Sequence, residues 1–227
     1  MNTHPKYLGR SRQRPAIAGT MIACVFATLV ASGADAATFS AQETHRGLVI
    51  DRPGSPTGRL VPNGWFRRPG APTHVYREGG AVVAGVWDTG PEAAVVRSGT
   101  TPDAPVMGRI VPTWKDGKLE LAIEPAGGAA VRTTVFKRAS GGGAEALDRR
   151  TSTRGDLEGS YRATVTAGDG TNVGWMSVDV DPEGATRFAG ELPSAIPPAL
   201  AAAAAAAVDA EVDSIYRDLI DVPPLRR

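Results

Sequence analysis

The sequence predicts a mainly β fold, an antiparallel β-sandwich or small β-barrel with one C-terminal α-helix. Three observations carry this. Leu119, Leu121 and Ile123 alternate with Lys118, Glu120 and Ala122, and Tyr161, Ala163 and Val165 alternate with Arg162, Thr164 and Thr166. That period of two buries one strand face and wets the other. The 227 residues include 27 glycines and 18 prolines, a composition that favours many turns and few long helices. A single helical stripe, Val208, Val212, Ile215, Tyr216 and Leu219, lies near the C-terminus.

Residues 1–36 read as a secretory signal peptide. Lys6, Arg10, Arg12 and Arg14 precede an uncharged, mostly apolar run over residues 16–30, and Ala34-Asp35-Ala36 supplies small residues at the two positions a signal peptidase reads. A run of that length is short for a membrane span. An alternative lipoprotein signal ending at Cys24 fits less well, because Met21-Ile22-Ala23 matches a lipobox only loosely and the new N-terminus would be greasy. Cleavage after Ala36 leaves 191 residues, enough for one domain with a substantial core.

Residues 37–138 form a β-rich region. It holds a short strand at Leu48-Val49-Ile50, a continuously apolar strand over 81–88 and further strands over 93–97, 118–123 and 130–137. Turns fall at Glu78-Gly79-Gly80, at 89–92 and at Lys115-Asp116-Gly117. Asp116-Gly117 suits a primed hairpin turn, since both positions tolerate positive φ. Residues 139–156 are glycine-rich and then polar, a flexible linker or loop. Residues 157–193 read as a β-meander of the same domain, with Met176, Val178 and Val180 inward and a turn at Asp181-Pro182-Glu183-Gly184. Residues 194–227 carry the amphipathic helix, from about Pro198 to Asp221, and a tail. Pro198 suits a first helical turn, and Pro223-Pro224 stops the helix. The stripe is expected to dock on the β domain. The run over 201–207 supplies helix propensity but little side chain to bury. An echo, GRLVP at 58–62 and GRIVP at 108–112, is followed in each case by a tryptophan, Trp65 or Trp114.

Composition narrows the function. Removing the leader's four basic residues and one acidic residue leaves 21 Lys+Arg against 23 Asp+Glu, so neither a nucleic acid nor an anionic membrane is implied as partner. The sole cysteine, Cys24, lies in the leader, which leaves no disulfide, thiol nucleophile or Cys-ligated zinc in the mature chain. No cofactor or metal motif is present. Asp179, Asp181, Glu183 and Gly184 resemble the start of a calcium loop, but the twelfth position is Gly190 and Pro182 interrupts, so a hairpin turn explains them. Gly141-Gly142-Gly143-Ala144-Glu145-Ala146 matches G-x-G-x-x-A without the helix and strand that a dinucleotide requires. His45 and His74 stand at no ligand spacing, and His74 reads as a solvated or strand-surface residue.

The candidate ligand-binding residues are Trp65, Phe66, Arg67 and Arg68, two aromatics beside two arginines that can stack on and hydrogen-bond to an envelope polymer or a protein. The expected function is a non-enzymatic binding or assembly module of a bacterial cell envelope, periplasmic or extracellular. The alternative is a periplasmic hydrolase using paired carboxylates, for which Asp179 and Asp181 are the local hint.

Overall fold

A computed structural model describes residues 36–221, except 45, 64–68, 89–92, 141–142 and 152. The leader with Cys24, His45, the turn over 89–92 and all four candidate ligand-binding residues, Trp65, Phe66, Arg67 and Arg68, lie outside the described residues.

Thirteen strands form one antiparallel sheet. They are β1 (Ala36–Thr44), β2 (Gly47–Asp51), β3 (Gly58–Pro62), β4 (His74–Glu78), β5 (Ala81–Asp88), β6 (Ala94–Arg97), β7 (Val106–Lys115) and β8 (Lys118–Pro125). They continue with β9 (Val131–Thr133), β10 (Lys137–Ser140), β11 (Gly159–Ala167), β12 (Asn172–Val180) and β13 (Thr186–Pro193). A four-residue helix, α1 (Arg154–Leu157), precedes β11, and a long helix, α2 (Pro198–Asp221), ends the described chain. Asp116 at φ 52° and Gly117 at φ 82° make the tight turn between β7 and β8 that their side chains favour.

The sheet closes on itself. β13 pairs with β1 from Ala36↔Pro193 to Gln42↔Arg187. β11 pairs with β9 through Val165↔Thr133 and with β10 through Lys137↔Arg162. β9 and β10 therefore share one position in the wall, and the barrel has twelve staves. This selects the barrel over the sandwich.

Inward positions are apolar and outward positions polar. Ala41, Ile50, Leu60, Tyr76, Ile110, Leu121, Val165, Val178 and Phe188 are buried on the inner wall. Arg59, Arg77, Arg109, Arg132, Arg162, Asp179 and Arg187 are exposed on the outer one. A membrane-spanning barrel shows the opposite order, with an apolar outer band. Among the described residues no helix is long and apolar enough to cross a membrane.

The helix is inside. Residues 199–205 are all buried, and seven consecutive helical residues sample every direction around the axis. A helix lying on the outside would hide one face only. α2 also touches β2, β3, β5, β6, β7, β8 and β13, strands from most of the circumference. The stripe docks on the barrel as expected, with Val208, Val212, Ile215 and Tyr216 buried, but the alanine run expected to bury little is enclosed as well. Twelve staves about 4.8 Å apart, tilted about 40°, give a wall radius of roughly 12 Å. A helix with side chains fills about 5–6 Å of that radius. The remainder holds the inner wall's own Leu, Ile, Val and Tyr side chains, so only alanine-sized residues fit most of the first two turns. Gly108 marks the tightest approach. A Cβ there would stand 2.8 Å from the Leu200 side chain and 2.6 Å from the Glu124 carbonyl. In the echoed GRLVP strand the buried Gly58 serves another contact, since a Cβ there would overlap the Tyr76 hydroxyl rather than meet α2.

Strand alternation fixes the ends. The β2–β3, β4–β5, β6–β7 and β8–β9 connections share one end with the β13–α2 link, so α2 enters there and runs toward the other end. At its entry the Pro197 carbonyl accepts from the Leu200 and Ala201 N–H groups, and Arg52 donates to the Ile196 carbonyl at 3.2 Å. The 24-residue helix is about 36 Å long, against a wall of roughly 20–25 Å, so its last turns emerge.

The emerged part is clamped on one side. Trp114 Nε1 donates to Glu211 Oε2 at 3.0 Å, and Arg149 covers the Trp114 ring at 4.3 Å. The Tyr216 hydroxyl donates to the Pro182 carbonyl, and Arg154 lies 4.8 Å from the Tyr216 ring centre. Before β11, Arg138 donates to the Ala144, Asp156 and Glu158 carbonyls, and Leu147 is fully buried.

Candidate functional site

On its other side the emerging helix leaves a gap to the wall. Two adjoining cavities, about 400 Å³ and about 210 Å³, lie between α2 and the upper ends of β1 to β7. They share Leu60, His74, Ala206 and Ala210, which makes them one cleft around the helix. The space follows from the sequence. Ala203, Ala206, Ala207 and Ala210 fall at i, i+3, i+4 and i+7, one face of the helix, and none carries more than a methyl group. The opposite wall supplies Leu48, Leu60, Val86 and Ala94 as an apolar floor, with Pro62 and Pro112 from the echoed strands at equivalent heights.

The rim is acidic. Among the described residues Glu43, Asp88, Asp209, Glu211 and Asp213 line the cleft, against a single arginine, Arg217. Glu211 is engaged by Trp114 and lies 3.8 Å from Arg149. Asp209 accepts a hydrogen bond from the Thr186 hydroxyl. Burial pushes its carboxyl up to about 6, with Glu43 and Asp213 adding repulsion and the Thr186 bond opposing the rise. The cleft thus holds a carboxyl that is partly protonated near pH 6, beside others on its rim.

His74 lines both cavities, half-buried on the inner face of β4 rather than on the outer surface expected for it. Its Nδ1 is 3.1 Å from Thr73 Oγ1, and the Thr73 hydroxyl donates its one hydrogen to the Val86 carbonyl at 3.0 Å. Nδ1 must therefore be the donor toward Thr73, which makes Nε2 the acceptor nitrogen of the neutral ring.

The other sequence candidates lie apart. Asp179 is exposed on the outer wall, and Asp181 Oδ1 accepts from the Glu183 and Ala185 N–H groups of its own turn. That pair is turn chemistry, and neither residue lines the cleft. Trp87 and Trp175 lie half-buried on the outer wall, beneath Arg97 and Arg162 respectively. Trp65, Phe66, Arg67 and Arg68 belong to the connection between β3 and β4, whose flanking residues Pro62 and His74 both line the cleft. A further hollow of about 350 Å³ lies among Lys118, Asp148, Arg150 and Asp156. Its Asp148 is held below the usual carboxylate range by the Arg150 hydrogen bond, an internal pairing.

Sequence reasoning missed Asp209 and the alanine face. The spacing of Ala203, Ala206, Ala207 and Ala210 was the available signal. Among the described residues no group of side chains is arranged to hold a metal ion. No family model, curated protein or solved structure matches this chain.

Proposed function

We propose that this protein is a non-enzymatic binding module, exported to a bacterial envelope, that holds a small organic ligand in the cleft between α2 and the barrel wall. The observation that carries the reading is the cleft itself, an apolar floor with a polar rim in a barrel otherwise filled by its own helix. Its volume falls in the range of small-molecule sites. Export rests on the leader's charge, apolar run and A-x-A order. Cleavage after Ala36 would cost β1 only its first residue. Intact mass of envelope-recovered protein should show Ala37 at the N-terminus.

The binding test uses N-phenyl-1-naphthylamine, a neutral dye that brightens in apolar sites. The protein should enhance its emission, and Ala210→Phe, an exposed position on the cleft, should abolish the enhancement without lowering the melting temperature. An enhancement unaffected by Ala210→Phe would reject the cleft as the binding site.

A second reading, hydrolysis by paired carboxylates, is favoured by one observation. Asp209, with its raised pKa, sits beside Glu43 in a concave site, where one carboxyl can donate a proton while another stays ionised. Turnover of a glycoside or ester panel, lost in Asp209→Asn, would establish it.

A further inference from the structure

We infer that the ligand is an amphiphilic cation, an ammonium head on an apolar body about the size of an octyl chain. The inference rests on the cleft being a binding site and adds the chemistry of its occupant. The floor, Leu60 and Val86 facing Ala203 and Ala206, contains no charge and offers aliphatic contact only. The charge is confined to the rim, where Glu43, Asp88 and Asp213 are exposed carboxylates. An apolar body entering between helix and wall leaves its head group at that height. An ammonium there meets several carboxylates, whereas a carboxylate or phosphate meets repulsion from each.

Among the described residues the acids of the rim outnumber its cations: Arg217 lines the cleft with its Nε donating to the Asp213 main-chain carbonyl, and Arg149 approaches Glu211 from outside the lining. Charge and shape therefore select together. A neutral alcohol matches the floor alone, an inorganic cation matches the rim alone, and an alkylammonium matches both.

The test displaces N-phenyl-1-naphthylamine from the full exported protein with octylammonium, octyltrimethylammonium, octanol and octanoate, at neutral pH and low salt. Octylammonium should compete at a concentration about tenfold below octanol, because several partly exposed charge contacts add to the same apolar burial. Octanoate should compete worst. The tenfold advantage should shrink in high salt and in a Glu43→Gln, Asp213→Asn double variant, whose substitutions are on exposed side chains and, by relieving repulsion of Asp209, should not lower the melting temperature. Equal competition by octanol and octylammonium, or tighter competition by octanoate, overturns the inference while leaving the cleft as a binding site. Dye binding that is absent or survives Ala210→Phe overturns the cleft reading instead, so the two failures are separable.

Discussion

Asp209 gives the cleft a measurable energetic signature. Its carboxyl is held at about 6, roughly two units above an unperturbed aspartate, chiefly by burial. The folded protein therefore binds this proton more tightly than the unfolded chain. Stability from this group is fully present below about pH 4, falls as pH rises to about 6, and stays reduced above that. Two units correspond to a ceiling of about 3 kcal/mol, and solvent contact of the half-buried side chain lowers the expectation to about 1–3 kcal/mol. Asp209→Asn keeps an oxygen that accepts from the Thr186 hydroxyl and removes the charge facing Glu43 and Asp213. The variant should match the wild type near pH 4 and exceed it by about 1–3 kcal/mol above pH 7. Urea unfolding followed by tryptophan fluorescence across that range measures the difference. Carboxylates such as Asp148, held low by Arg150, titrate in both proteins and cancel in the subtraction. A variant less stable than the wild type at pH 8, or an offset independent of pH, would refute the burial argument.

Three further outcomes follow from the enclosed helix and the wall register. Ala204→Leu adds volume at a position with no exposed surface and should cost about 1–3 kcal/mol or more, whereas Ala210→Leu on the open cleft should stay within about 0.5 kcal/mol. Equal, small effects in urea unfolding would mean that the wall does not surround α2. A chain ending after Pro193 should yield no soluble folded protein, and a monodisperse barrel in size exclusion would show that α2 is dispensable to the core. Leu121→Ala should cost about 2–5 kcal/mol against near zero for Glu120→Ala, and similar losses at both positions would invalidate the β8 register.

The wall was legible because its inner and outer faces differ in polarity at every second residue, as at 118–123 and 161–166. Closure was not, because it depends on β11 meeting two short segments, Val131–Thr133 and Lys137–Ser140, that read as one strand and its surroundings. The helix bounds were visible from Pro198 and the stripe through Leu219. Its enclosure was hidden because alanine carries no amphipathic signal, so only the stripe from Val208 onward marked a buried face. The cleft was hidden for the same reason: it is lined by what alanine lacks. Asp209 looked like one more solvated acid until the fold placed it under Thr186 and beside Glu43.

The enclosed helix also sets the order in which this protein can become itself. Its first strand needs its thirteenth, since Ala36 pairs with Pro193, and the wall has no interior partner until the residues after Pro198 arrive. A nascent chain is thus an open sheet with bare edges and an uncovered apolar face until α2 is available. Delayed closure of this kind exposes the chain to clumping when synthesis stops early. Loss of α2 should therefore be among the most damaging lesions this chain can suffer, out of proportion to its 24 residues.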